Sequence, residues 1–63
     1  MKERTPLKEQ REKLGLTQME VAARAGISVT AYKMYEAGVR IPRIDVAFLI
    51  ADAVNSTVEE LFR

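Results

Sequence analysis

The sequence predicts an all-α protein, a compact five-helix bundle in which residues 1–63 form a single domain. Hydroxyl residues that can cap a helix stand before four segments whose apolar residues recur every three or four positions. Glycine or asparagine follows four of the segments, and no stretch alternates apolar and polar residues as a half-buried strand would. The helices are predicted at about residues 6–14, 18–25, 29–37, 44–54 and 58–62.

The first predicted helix begins at a cap and a proline. Thr5 is the expected N-cap, and Pro6 suits the first helical position because the N–H that proline lacks would have no partner there. Leu7, Arg11 and Leu14 then fall on one face, which makes Arg11 a charged member of an otherwise apolar stripe.

The second and third predicted helices are joined by only three residues, 26–28. Thr17 and Glu20 form a capping box, in which each side chain satisfies the backbone N–H of the other residue. Ser28 caps the third helix, and so short a connection predicts two short helices that cross steeply. The apolar positions expected to face inward are Val21, Ala22 and Ala25 on the second helix and Ala31, Tyr32 and Tyr35 on the third.

The last two predicted helices carry the most apolar part of the chain. Asn55 separates them, in a left-handed conformation that asparagine tolerates better than most other residues. Thr57 and Glu60 repeat the capping-box pattern at the start of the fifth helix. The residues expected to face inward are Ile44, Ala47, Ile50, Ala51 and Val54 on the fourth helix, with Val58, Leu61 and Phe62 on the fifth.

The composition excludes several classes of protein. With no cysteine and no histidine, the chain cannot form a disulfide, a Cys/His zinc site or a Ser-His or Cys-His catalytic pair. The longest apolar run, residues 46–51, is far below the roughly 20 residues that span a bilayer, and residues 1–6 show no signal-peptide pattern. The paired carboxylates Glu59 and Glu60 are adjacent and therefore lie on different helix faces. We expect a cytoplasmic protein that is not an enzyme, uses no cofactor or metal, and has no membrane or small-molecule partner.

Charge is distributed unevenly along the chain. Residues 1–43 hold nine basic and five acidic side chains, a net +4, whereas residues 44–63 hold one basic and four acidic side chains, a net −3. Such a dipolar chain can present a cationic face to a polyanion and keep its acidic face away from it. Ordinary surface charge that happens to segregate is the alternative interpretation.

Several motifs together resemble the helix-turn-helix domain of the phage repressor and Cro family of bacterial regulators, the XRE-like proteins. The similarity covers roughly residues 7–62 and implies a lambda-repressor-like fold in a DNA-binding regulator from a bacterium or a phage. The motifs are Leu16-Thr17-Gln18-x-Glu20-Val21-Ala22-x-x-Ala25-Gly26-Ile27-Ser28, then Tyr35-Glu36-x-Gly38, then Pro42, then Val58-Glu59-Glu60-Leu61-Phe62.

The resemblance implies that the third helix lies in the major groove of double-stranded DNA, with its first turns against the base edges. Helix geometry places Val29, Thr30, Lys33 and Met34 on the outer face, and these are the residues predicted to read bases. Many relatives have polar or arginine residues there, so this chain is expected to discriminate less at each position or to depend on DNA shape. The alternative is a solvated helix with some exposed Val and Met side chains.

The resemblance also suggests contacts with the DNA backbone. In the family the position of Gln18 often binds phosphate, and free N–H groups at a helix N-terminus favour an anion there. Arg40 and Arg43 lie in the connection after the third helix, where cations can grip the flanking backbone, or where they are simply solvated. The complete set of predicted phosphate-contacting residues is Thr17, Gln18, Ser28, Arg40, Arg43 and Arg11.

Arg11 and Glu36 are expected to form a structural ion pair, which is common between these positions in relatives. A guanidinium forked onto a carboxylate satisfies both groups in a half-buried site, and it can also orient Arg11 towards a phosphate. Arg43 departs from the family, because many relatives have Ser or Thr there as the N-cap of the fourth helix. We expect that this departure weakens the start of the helix.

The fourth helix is apolar nearly all round, whereas a small bundle needs only one apolar stripe. A homodimer is therefore expected, because two-fold pairing aligns two recognition helices on palindromic half-sites about 34–36 Å apart. The alternative is that these residues simply complete the small core. The predicted dimer interface consists of Val46, Leu49, Ala53 and Phe62.

Three functions are compatible with these patterns. The first is a sequence-specific transcriptional regulator, a repressor that occludes a promoter and stays at the nucleoid while bound. The second is the antitoxin of a toxin–antitoxin pair, which is disfavoured unless a toxin-binding tail follows Arg63 in a longer chain. The third is a helix-turn-helix protein-interaction module that has lost DNA binding and uses its acidic C-terminal segment as the contact surface.

Overall fold

The computed structural model describes residues 5–62, and within this range the chain forms five α-helices and no strand. The predicted fold class is therefore confirmed. The predicted first, fourth and fifth helices each run one residue past the observed end, into a C-cap residue. Four of the charged residues counted in the sequence lie outside the described residues, namely Lys2, Glu3, Arg4 and Arg63. The helices are α1 (Pro6–Lys13), α2 (Gln18–Ala25), α3 (Val29–Ala37), α4 (Ile44–Ala53) and α5 (Val58–Leu61).

The starts of the first three helices are capped as predicted. Thr17 Oγ1 accepts a hydrogen bond from the Glu20 N–H at 3.0 Å, and Glu20 Oε1 accepts one from the Thr17 N–H at 2.8 Å. Both halves of the capping box are therefore present. Thr5 and Ser28 likewise accept a backbone hydrogen bond at α1 and α3. These bonds define where each helix begins.

The start of α5 differs from the prediction, and the start of α4 has no side-chain cap. Thr57 accepts the expected bond from the Glu60 N–H, but the Glu60 carboxylate accepts from Ser56 Oγ at 3.1 Å, so only half of the predicted box forms. Arg43, the N-cap of α4, makes no side-chain capping bond. Instead, Asp45 Oδ1 accepts from the N–H of the next residue at 2.9 Å and occupies one of the free N–H groups of the first turn.

The hydrophobic core lies around α2, which packs against both α3 and α4. The remaining side is closed by α1, which contacts α3 and α5. Because α2 and α4 contribute mainly small and β-branched side chains, the helices approach closely around one large ring, that of Tyr32. The core residues are Leu7, Val21, Ala22, Ala25, Tyr32, Ile50, Ala51, Ala53, Val54 and Leu61.

Two residues that were predicted to lie on inner faces are exposed. Ile44 is 64% exposed, because it precedes Ile50 by six residues and is therefore rotated about 120° away from the core face of α4. Leu14 is also exposed, because α1 ends at Lys13 and the chain turns before Leu14 can join the stripe of Leu7.

The hydroxyl group of Tyr32 is fully buried beside the Glu36 carboxylate, yet it makes no hydrogen bond of good geometry among residues 5–62. A buried polar group without a partner costs about 1–3 kcal/mol of desolvation. We therefore expect Tyr32→Phe to leave the free energy of unfolding unchanged or to raise it by about 1 kcal/mol in urea titrations. Tyr35→Phe on the half-buried ring is the control, with a change within about 0.5 kcal/mol. A loss above about 1 kcal/mol for Tyr32→Phe would contradict this expectation.

Candidate nucleic-acid interface

The turn between α2 and α3 fixes the orientation of α3. Gly26 ends α2 with a φ of 75°, a left-handed conformation that glycine adopts without a Cβ penalty. The Ile27 N–H then donates to the Ala22 carbonyl at 3.0 Å, and the Ile27 side chain packs against the core. Ser28 follows immediately as the cap of α3. Each residue of the turn therefore has one defined role, and little freedom remains between the two helices.

The third helix is anchored on one side and open on the other. Tyr32 and Glu36, which are one turn apart, are buried. Thr30 and Lys33 are exposed on the opposite side, as predicted. Because the anchored side is held by the core and by an ion pair, the open side projects as a rigid ridge of polar and small residues.

The other two predicted base-reading residues lie at the edges of this ridge. Val29 is half-buried and packs against the core, because it stands three residues before Tyr32 and so lies about 60° from it around the helix. The outward placement predicted for Val29 is therefore corrected. Met34 is also half-buried, and its Sδ accepts a contact from Nη1 of Arg40 at 3.8 Å. This contact folds Arg40 back against α3.

A buried ion pair joins α1 to α3, as predicted. Arg11 Nε donates to Glu36 Oε1 at 2.7 Å and Arg11 Nη2 donates to Glu36 Oε2 at 3.1 Å. The remaining guanidinium nitrogen, Nη1, donates to the carbonyl of Leu16 at 2.8 Å. Gln18 Nε2 donates to Glu36 Oε2 at 3.1 Å. One carboxylate therefore holds together α1, the start of α2 and α3.

The electrostatics of the pair follow from its burial and its bonds. Burial alone would raise the pKa of the Glu36 carboxyl, but the hydrogen bonds from Arg11, together with its charge, outweigh burial and lower that pKa. The hydrogen bond to Glu36 likewise raises the pKa of Arg11. Both groups are ionised near neutral pH, and each charge has its partner in place.

Residues 7–61 match the helix-turn-helix family. This protein is a member of the helix-turn-helix family. The cryptic phage CTXphi transcriptional repressor RstR of Vibrio cholerae serotype O1 is 39% identical over 61 residues, which cover 97% of this chain. The chain spans 54% of the length of that relative. Two uncharacterized HTH-type transcriptional regulators of Archaeoglobus fulgidus are each 36% identical over 59 residues, which cover 94% of this chain and 84% or 83% of theirs.

Within this helix-turn-helix domain, the predicted phosphate-contacting residues divide into two groups. The hydroxyl oxygens of Thr17 and Ser28 accept capping hydrogen bonds, which leaves the O–H of each able to donate to a phosphate. The guanidinium of Arg11, in contrast, donates from all three nitrogens within the protein. The Gln18 amide donates one hydrogen bond to Glu36, and this bond fixes the amide beside the first turn of α2. The available cations at this surface are the exposed side chains of Arg40 and Lys33.

Arg43 is a further predicted phosphate contact, but it has a partner that the sequence analysis missed. Arg43 Nη2 lies 2.9 Å from Asp45 Oδ2, with the two side chains 81% and 62% exposed. The pair offsets part of the positive charge of Arg43. The signal in the sequence was the spacing Arg-x-Asp at a helix start, where an acidic residue in the first turn is itself favourable.

The four residues of the helix-turn-helix domain that were predicted to form a dimer interface differ in exposure. Ala53 is 8% exposed and belongs to the core, because it follows Ile50 by three residues and shares its face. Val46 and Phe62 are half-buried and pack against the same core. Of the four predicted residues, Leu49 is the most exposed, at 49%.

Residues 5–62 contain neither a metal-binding cluster nor a membrane-spanning helix. No group of three or more acidic residues in this range could hold a metal ion. No helix in the same range has the length and apolar character needed to cross a membrane.

Proposed function

We propose that the chain is a sequence-specific, double-stranded DNA-binding transcriptional regulator that places α3 in the major groove and represses by covering a promoter. The observation that carries this proposal is the open ridge of Thr30 and Lys33 on a helix whose other side is anchored by Tyr32 and Glu36. The major groove admits a helix, and base edges are read by side chains near its start.

The ridge offers limited but usable chemistry for base recognition. Lys33 can donate to guanine O6 and N7, and the Thr30 hydroxyl can donate or accept at several base edges. The Met34 side chain, at the edge of the ridge, can contact a thymine methyl group. With few bidentate side chains, we expect part of the specificity to come from sequence-dependent DNA shape.

Backbone contacts flank the ridge. The Gln18 amide, held by Glu36, lies at the N-terminus of α2, where the helix dipole favours an anion. Arg40 lies against Met34 and is exposed, so its guanidinium is available beside α3. Phosphate contacts of this kind fix the register of a protein on DNA without carrying sequence information themselves.

Repression by occlusion needs neither an activating surface nor a ligand pocket. The relative from Vibrio cholerae is named as a transcriptional repressor, which supports the same role here. We further propose that the chain binds palindromic DNA as a homodimer, because a single small domain covers only one half-site. Two recognition helices would then lie about 34–36 Å apart.

Selection of bound sites from random duplexes tests this function directly. We expect an enriched half-site of a few base pairs that recurs as an inverted repeat, with the two halves about one DNA turn apart. Transcription in vitro from a promoter that contains the selected site should fall as the protein is added. Recovery of random sequences, with no effect on transcription, would contradict the proposal.

A salt titration separates DNA binding from the protein-interaction alternative. Affinity for duplex DNA should fall linearly with log[salt], with a slope of about −0.9 for each phosphate neutralised. Arg40→Gln should reduce the magnitude of the slope by about one and weaken all duplexes alike. Lys13→Gln on α1 is the matched control and should leave the slope unchanged. A flat response in the wild-type chain would favour a protein-interaction module.

A further inference from the structure

We propose that a groove between the start of α1, the end of α3 and the end of α5 binds a small aromatic carboxylic acid, and that this ligand weakens the binding of DNA. The effect on DNA rests on the proposed function, whereas the binding of the ligand does not. No small-molecule partner was expected from the sequence, since the residues that line the groove are far apart along the chain. This effector groove is lined in part by Leu7, Tyr35, Arg40, Ile41, Leu61 and Phe62.

The floor of the effector groove is apolar. Leu7 and Leu61 are only 1% and 4% exposed and close its base, while Ile41 at the rim is 87% exposed. The groove measures about 220 Å³, which is the volume of about seven water molecules in the liquid. Sites for drug-sized ligands measure about 300–1,000 Å³, so the ligand that fits here is smaller, with about ten non-hydrogen atoms. Burial of its apolar part against the two leucines and Ile41 removes apolar surface from water.

Two aromatic rings determine the shape of the apolar part of the ligand. Tyr35, on the last turn of α3, and Phe62, which follows α5, are both half-buried and both line the groove. Aromatic rings pair in offset-stacked or edge-to-face arrangements, which stabilise a bound ring beyond the burial of its area. The effector groove therefore favours an aryl group over an alkyl chain.

The charge at the groove identifies the other part of the ligand. Arg40 is exposed, and within residues 5–62 its guanidinium contacts the neutral Sδ of Met34 at 3.8 Å. No acidic side chain is among the described residues that line the groove. A guanidinium binds a carboxylate through two parallel hydrogen bonds, which are stronger than a contact with a thioether sulfur. The anion that Arg40 favours must therefore come from the ligand.

The guanidinium of Arg40 is also the proposed contact between the loop after α3 and the DNA backbone. When the carboxylate of a ligand binds Arg40, the positive charge is neutralised and one phosphate contact is lost. Because the ligand and the phosphate compete for one cation, each weakens the binding of the other by the same factor. An aromatic acid bound in the effector groove therefore lowers the affinity of the protein for DNA.

An NMR titration of the ¹⁵N-labelled chain with phenylacetate, without DNA, tests the binding of the ligand. The amide signals of Arg40, Ile41 and Phe62 should shift and saturate, with a Kd of about 1 mM or tighter. Phenylacetamide, which has the ring without the charge, should bind at least tenfold more weakly. Arg40→Gln should lose phenylacetate binding by at least tenfold, whereas Arg43→Gln in the same loop is the matched control and should bind as the wild type does. Shifts that do not saturate, or equal affinities for phenylacetate and phenylacetamide, overturn the proposal.

A second measurement uses DNA and separates this proposal from the proposed function. Saturating phenylacetate should lower the affinity of the wild type for the selected duplex at least threefold, compared with acetate at the same ionic strength. Arg40→Gln should bind the duplex equally well in phenylacetate and in acetate, because it lacks the cation for which ligand and phosphate compete. Unchanged DNA affinity of the wild type at saturating phenylacetate would overturn the regulatory role of the groove and leave DNA recognition standing. Failure of the wild type to bind any duplex would reject the proposed function, while the NMR titration still decides whether the groove binds the acid.

Discussion

Glu36→Leu is expected to lower the free energy of unfolding by about 3–5 kcal/mol, which is comparable with the whole stability of a chain of this length. The substitution takes from the Arg11 guanidinium, whose side chain is only 13% exposed, the carboxylate that binds it in two places, and leaves only the half-exposed Glu12 carboxylate 3.9 Å away. It also removes the acceptor of the Gln18 amide. Urea unfolding followed by circular dichroism measures the loss. A change below about 1 kcal/mol would show that the pair contributes little.

The double variant Arg11→Met with Glu36→Leu provides the control. Because both charges are removed together, it should be far more stable than Glu36→Leu alone and within about 1–2 kcal/mol of the wild type. The difference between the double variant and the sum of the single variants measures the coupling. Additive single effects would contradict a direct interaction between the two side chains.

The pH dependence follows from the lowered pKa of Glu36. The unfolded chain binds a proton on this carboxyl near its ordinary pKa of 4.5, whereas the folded chain resists protonation to lower pH. The stability from the pair is therefore fully present above that value and is lost as the pH falls through the folded pKa. The double variant should lack this part of the acid sensitivity and serves as the reference.

The same double variant also tests whether the pair positions the DNA-binding surface. It should remain folded, yet bind DNA more weakly than the wild type, because Gln18 loses the carboxylate that orients its amide and α1 loses its ion pair with α3. Unchanged affinity at low salt would show that the pair only stabilises the fold. Arg11→Met alone should also lose affinity, for the same geometric reason.

The local features of the fold could be predicted from the sequence because short-range chemistry determines them. The capping box of Thr17 and Glu20 and the left-handed conformations of Gly26 and Asn55 depend on residues within one helical turn. The ion pair of Arg11 and Glu36 is a long-range contact, and the family resemblance supplied it rather than any local pattern.

Features that depend on how one helix is rotated against another could not be predicted. The α4 sequence is apolar on nearly every side, so its pattern did not determine which side faces α2, and Ile44 and Ala53 were assigned to the wrong faces. Val29 was placed outward for a similar reason, since a residue at the edge of a face can lie on either side of the boundary. The contact between Met34 and Arg40 depends on the path of the loop after Gly38, which no periodicity describes.

Removal of the Lys33 amine is expected to have the second large effect, which is on the affinity for DNA and not on the free energy of unfolding. Lys33→Met keeps much of the apolar stem and removes the donor, so affinity for the selected half-site should fall by about 5- to 100-fold, or about 1–3 kcal/mol. Because Lys33 is exposed, unfolding in urea should be unchanged within about 0.5 kcal/mol.

The pattern of loss across duplexes shows what Lys33 contacts. If the amine reads a guanine on the ridge, duplexes that already lack this base pair should bind the variant and the wild type equally, and the preference at that position should disappear. Arg40→Gln is the contrast, because a phosphate contact is expected to weaken every duplex by a similar factor. If Lys33→Met loses the same factor of affinity on all duplexes, Lys33 contacts the DNA backbone and not a base. Thr30 would then be the remaining polar side chain on the exposed ridge of α3 that can read bases. Specificity would then have to come from the shape of the DNA.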